Sequence, residues 1–162
     1  METEQYLLYG IIFFVISACA TLVTTKKIRI VAYFISLFGS LSFLFLGFYL
    51  FAAIPVMFHA RSVTSIFEFA LRGDALSGFF VILISLMTFA TSLYSIGFTC
   101  DLAHSNLVCF FYNILILSLY SVALSANIIT FLVSWDTMAV ASYLLVTMER
   151  TDKASRSGLF TL

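Results

Sequence analysis

Phe131-Leu-Val-Ser-Trp-Asp-Thr-Met-Ala-Val-Ala-Ser-Tyr-Leu-Leu-Val146 decides the reading of this chain. It is apolar almost throughout, yet it holds one carboxylate, Asp136. Counted from Asn127, that acid lies about nine residues in, or ~13 Å at 1.5 Å per helical residue. This is close to the midplane of a hydrocarbon core ~30 Å thick. A carboxylate there costs roughly 2.5–3.5 kcal/mol on insertion scales, while each Ile, Leu, Val or Phe returns roughly 0.3–0.6 kcal/mol. The neighbours Ile128, Ile129, Phe131, Leu132, Val133, Val140, Leu144, Leu145 and Val146 together outweigh the acid, so the segment still inserts. The bilayer gives no reason for Asp136 to be there, and an acid inside a membrane is by default a functional-site hypothesis.

The rest of the chain fits that reading. It is 162 residues long, 62% hydrophobic and 10% charged, with one proline. Globular domains are nearer 45–50% apolar and 25% charged. The balance predicts an all-α, polytopic membrane helix bundle. Net charge is +0, so nothing in the balance suggests nucleic acid. No glycine-rich phosphate loop, metal-ligand set or nucleophile–base set is visible, so no catalytic site, cofactor or metal is expected. Cys19, Cys100 and Cys109 are far apart in sequence and read as small apolar fillers.

Outward from the deciding stretch, the hydropathy predicts five transmembrane helices, at about 6–23, 30–57, 76–98, 107–124 and 128–148, with the start of a sixth at Gly158-Leu-Phe-Thr-Leu162. Ala18-Cys-Ala20 resembles a cleavage site, but Met1-Glu-Thr-Glu-Gln5 is acidic where a signal peptide is basic. Gly39, Ser40, Ser42 and Gly47 mark the second span as a close-packing helix, and Pro55 bends or ends it. Between spans two and three, Phe67, Phe69 and Leu71 alternate with Glu68, Ala70 and Arg72, which predicts a short strand. His59 reads as a solvated loop residue. Asp74 is placed to cap the third span at its N-terminus. Asn113, Tyr120 and Ser121 share one face of the fourth span, where they can bond a neighbouring helix or line a wet path. Tyr143 lies on the same stripe of the fifth span as Asp136, with Ser134, Thr137 and Ser142 around the cylinder. Trp135, at mid-depth, is expected to pack against protein.

Lys26, Lys27, Arg29, Arg150, Lys153 and Arg156 fall on one side of a five-span bundle, and Arg61 and Arg72 on the other. The positive-inside rule makes the first side cytoplasmic, with the N-terminus outside and the C-terminus inside.

Low dielectric disfavours the charged form of an acid and a nearby cation favours it, so an acid held between them can bind and release a proton, as a relay requires. Asp136 is the candidate for that role, with Tyr143 and Asn113 as further candidate stations. The only lysines, Lys26, Lys27 and Lys153, lie outside the spans. One acid in five helices is an incomplete proton path, so further helices are expected, downstream or in other membrane subunits. The other reading of Asp136 is an acid that bonds a partner helix in a scaffold or assembly subunit with no transport of its own.

At these residues the chain resembles a family. Trp135-Asp136, Met138 and Ala141-Ser-Tyr-Leu-Leu145 resemble the fifth helix of antiporter-like proton-translocating subunits. Such subunits occur in respiratory complex I (an NADH dehydrogenase), in Mrp-type sodium/proton antiporters and in membrane-bound hydrogenases. Asp74-Ala-Leu-Ser77 resembles the family's entry to helix three, and Ser92-Leu-Tyr-Ser-Ile-Gly97 the end of that helix. Ser155-Arg-Ser-Gly-Leu159 is more similar to the hydrogenase branch, the large membrane subunit of formate-hydrogenlyase and hydrogenase-4 type complexes. The likeness runs from about Phe69 onward. It implies a redox-driven complex of several membrane subunits in the cytoplasmic membrane, moving protons or sodium, with Asp136 as the protonatable group and Trp135, Asp74 and Ser142 as motif positions. The chain departs from the family in two ways. Asp136 stands where the family has glutamate, one methylene longer. The family's subunits also have many more helices, including a later one bearing the lysine that partners the acid, so the resemblance implies an N-terminal piece of a larger subunit.

Overall fold

A computed structural model describes residues 2–21, 26–52, 56–59, 70–98 and 105–148. Five helices follow one another: α1 (Glu2–Thr21), α2 (Lys26–Ala52), α3 (Ala75–Phe98), α4 (Ser105–Ala123) and α5 (Ile128–Met148). Four carry stretches long and apolar enough to cross a membrane, namely Val31–Ala52, Ala75–Ser95, Asn106–Ala123 and Ile128–Thr147. The apolar part of α1 among the described residues is Gln5–Thr21. The expected sixth helix, the Ser155–Leu159 motif and the basic residues after Met148 lie outside the described residues, as do Arg61, Cys100, Asp101 and His104.

The connection between α2 and α3 holds a hairpin. Strands β1 (Val56–His59) and β2 (Ala70–Gly73) pair antiparallel, with Val56 opposite Gly73 and His59 opposite Ala70. Two expectations change here. Val56 and Met57, expected at the end of the second span, belong to β1 instead. A proline ring clashes with a helix continued through it, which suits Val56 and Met57 leaving the second span for a strand. The strand expected over Phe67–Arg72 is met at Ala70–Gly73, while Phe67, Glu68 and Phe69 lie outside the described residues.

The core is built around α2. Phe14, Phe43, Leu46, Leu50, Val81, Ile116, Tyr120 and Leu124 are buried together. The rings of Phe43 and Tyr120 stack at 3.8 Å and 9°. Small residues let the α2 and α3 backbones touch. A Cβ on Gly78 would stand 2.8 Å from the Phe51 nitrogen and 2.9 Å from the Gly47 carbonyl oxygen. Gly39 makes room for the Phe14 ring in the same way, since a Cβ there would lie 2.9 Å from it.

The helix ends are capped as their sequences suggest. Asp74 accepts the Ser77 N–H at 2.8 Å, which bears out its reading as a cap. Asn127 does the same for α5 by accepting the Thr130 N–H at 2.7 Å. The hairpin also reaches the α4–α5 turn. Arg72 N–H donates to the Leu124 carbonyl at 2.7 Å, and Ala126 N–H donates to the Ala70 carbonyl at 2.9 Å. The hairpin and that turn therefore share one end of the bundle, opposite the Lys26 end of α2.

Candidate functional site around Asp136

Helix α5 is docked by a narrow stripe. Thr130, Ser134 and Ala141 are buried, whereas Ile128, Leu132, Val133, Trp135 and Val140 are exposed. Successive helical residues turn by about 100°, so Asp136 projects on the far side from Ser134. Asp136 is exposed. It stands at the rim of an open groove between α4 and α5 of about 370 Å³, lined by Phe111, Ile114, Asp136, Thr137, Val140 and Ala141. Asp136 is the one ionisable group among those lining residues.

The other sequence-predicted residues are not gathered around it. Tyr143 is half-buried and is not among the groove's lining residues. Ser142 donates to the Ala139 carbonyl of its own helix at 2.9 Å. Trp135 does not pack into the bundle as expected. It is 49% exposed and rests on Phe131, one turn back on the same helix, at 5.6 Å between ring centres. The reason is its bearing: the buried stripe takes Ser134, and the residue after it faces outward.

The polar face expected on the fourth span is divided among three neighbours. Asn113 is fully buried and accepts from Ser36 of α2 at 2.8 Å. Its amide nitrogen donates to the Cys109 carbonyl at 2.8 Å. Ser36 Oγ lies 2.8 Å from Ser17 Oγ of α1, which donates to the Ala32 carbonyl at 2.7 Å. Tyr120 meets Ser85 of α3 at 3.0 Å. Ser121 accepts from Ser134 of α5 at 2.7 Å. Polar side chains of α4 thus bond α2, α3 and α5 directly, and α1 joins the same network through Ser36 of α2.

Sequence reading passed over Tyr112. Its hydroxyl sits 2.7 Å from Thr91 and 3.0 Å from Ser92, and donates to the Thr88 carbonyl at 3.2 Å. The signal was available as a tyrosine eight residues before Tyr120, facing a serine- and threonine-bearing α3. Every buried side-chain nitrogen or oxygen among the described residues has a hydrogen-bond partner, as buried polar groups require.

Over 94 residues the chain is 37% identical to hydrogenase-4 component B of Escherichia coli (strain K12). That bears out the hydrogenase-4-type resemblance read from the residues. The matched segment covers 55% of this chain and 14% of that protein. No protein-family profile matches the chain. The chain thus spans only a small part of the length of the curated protein it matches, and its long apolar helices are those of a membrane protein.

Proposed function

We propose that this chain is part of an ion-translocating membrane subunit of a redox-driven complex, of the membrane-bound hydrogenase or NADH:quinone oxidoreductase type. Asp136 is the group that binds and releases a proton. The observation that carries this reading is an acid part-way along an otherwise apolar membrane helix, on the side of that helix the bundle leaves unpacked. Similarity to a hydrogenase-4 component supports it, and so does the open groove beside the carboxylate. In this reading further helices of the same subunit cover the exposed side of α5 and complete the path. The protein sits in the cytoplasmic membrane with all five helices crossing it, the Lys26 end inside and the hairpin end outside.

The test is Asp136→Asn in the complete complex, reconstituted in vesicles, with ion uptake measured against redox turnover. Uptake is expected to fall at least about tenfold, as for loss of an essential proton carrier, and Asp136→Glu is expected to retain most of it. Unchanged uptake with Asp136→Asn would show that the acid carries no proton.

A second reading is a helical scaffold without transport. The observation favouring it is that Asn113, Tyr112 and Tyr120 spend their polar groups on neighbouring helices. On that reading Asp136→Asn lowers the amount of assembled complex and leaves uptake per complex intact. The vesicle experiment separates the two.

A further inference from the structure

The stripe that docks α5 is made of small side chains. Thr130, Ser134 and Ala141 are spaced four and seven residues apart, so they form one line along the helix. Small, smooth surfaces let helices approach closely but do little to stop one turning about its own axis. Hydrogen bonds do stop it, and α5 has two on that line. Ser134 Oγ donates to Ser121 Oγ of α4 at 2.7 Å. Thr130 Oγ1 accepts the Ala70 N–H of β2 at 3.3 Å. Ala70 is itself held, because its carbonyl accepts the Ala126 N–H at 2.9 Å while the next-but-one residue, Arg72, donates to Leu124 at 2.7 Å. Strand β2 therefore grips both the turn before α5 and the first turns of α5 itself.

We propose that Thr130 and Ser134 are positioning residues that fix the rotation of α5 and so aim Asp136, with strand β2 as the fixed point. The inference rests on the reading that Asp136 carries a proton. Ser134 and Asp136 are two residues apart and point about 160° away from each other. Pinning the serine to α4 fixes the bearing of the carboxylate, at the groove it shares with Phe111 and Ile114 of α4. A turn of α5 by one residue would put Trp135 or Thr137 on that bearing in its place. Neither pin touches the acid, and both act on it through the helix. The groove beside Asp136 presents Phe111 and Ile114 from α4 and Thr137, Val140 and Ala141 from α5. Asp136 is the one ionisable side chain among those lining residues.

The experiment uses the complete complex in vesicles, at equal amounts of assembled protein. Ser134→Ala and Thr130→Val are each expected to lower ion uptake per turnover by about threefold to tenfold, the size of one lost interhelical hydrogen bond. Both are expected to move the pH midpoint of uptake. Thr130→Ser keeps the accepting hydroxyl and is expected to restore both. Ser42→Ala removes a hydroxyl that donates to the Phe38 carbonyl of its own helix, and is expected to change neither. A second measurement covers variants that assemble poorly. Asp136→Cys, alone and combined with Ser134→Ala, is exposed to a membrane-permeant thiol reagent, and the labelling rate is expected to differ at least about threefold. Unchanged uptake and pH midpoint in both pin variants, or equal labelling rates, would overturn the positioning role while leaving the acid's role standing. Unchanged uptake in Asp136→Asn would instead bring down the reading beneath it.

Discussion

Helices α2 and α5 are similarly apolar, yet the bundle uses them in opposite ways. In α2, 44% of the apolar window is buried, against 17% in α5. Helix α2 contributes Phe43, Leu46 and Leu50 to the core and touches α3 through backbone at Gly47 and Gly78. Helix α5 contributes a line of Thr130, Ser134 and Ala141, and leaves most of its large apolar side chains outside. In a bilayer, lipid is as apolar as leucine, so close packing and hydrogen bonds decide which helix faces hold together. By that criterion α2 is the structural centre of the described residues. Helix α5 is held by a few small contacts and presents an acid on its open side.

Substitutions can break or sharpen this contrast. The largest effect is expected from Leu46→Ala, a fully buried side chain in α2. Its removal leaves a cavity and should destabilise the bundle by about 2–5 kcal/mol, read by thermal or denaturant unfolding in detergent. Next comes Gly78→Ala. The added methyl meets the Phe51 nitrogen and Gly47 oxygen, which are backbone and cannot swing away. A loss of about 1–3 kcal/mol is expected from such overpacking, seen as a lower unfolding midpoint.

A smaller effect is expected at Asp74. The Ser77 amide holds its carboxyl below the ordinary carboxylate range, aided by the Ser77 hydroxyl and by Arg72, while burial opposes the shift. A carboxyl whose folded value is depressed stabilises the fold above its unfolded value, and that contribution is lost as pH falls through the folded value. Asp74→Ala should therefore cost about 0.5–2 kcal/mol near neutral pH. The difference from the parent should shrink below the ordinary carboxylate range, which unfolding measured across acidic pH will test. The smallest effect is expected from Leu132→Ala on α5, where the side chain is 52% exposed. A change within about 0.5 kcal/mol is expected. A cost as large as that of Leu46→Ala would erase the distinction between the two helices.

Much of this was legible residue by residue. Long apolar runs gave the helices, since each must satisfy its own backbone in lipid. Asp74 gave a cap and Pro55 a helix end. Asn127, the second cap, is likewise marked by an asparagine just before an apolar run. The partners of Asn113, Tyr120 and Ser121 were not legible. Shared spacing places them on one broad face, and only the crossing of α2, α3 and α5 around α4 divides that face in three. Tyr143 shows the same gap: the stripe through Asp136 includes it, but the groove beside the acid turns toward Phe111 and Ile114 instead.

By itself the sequence determined that the chain is a helical membrane bundle with one acid deep in a helix, because hydropathy and charge are properties of each segment alone. The tertiary structure decided where that acid points. Its bearing depends on two hydrogen bonds, from Ser134 to Ser121 and from Ala70 to Thr130. Each joins residues distant in the chain, so no local pattern encodes it.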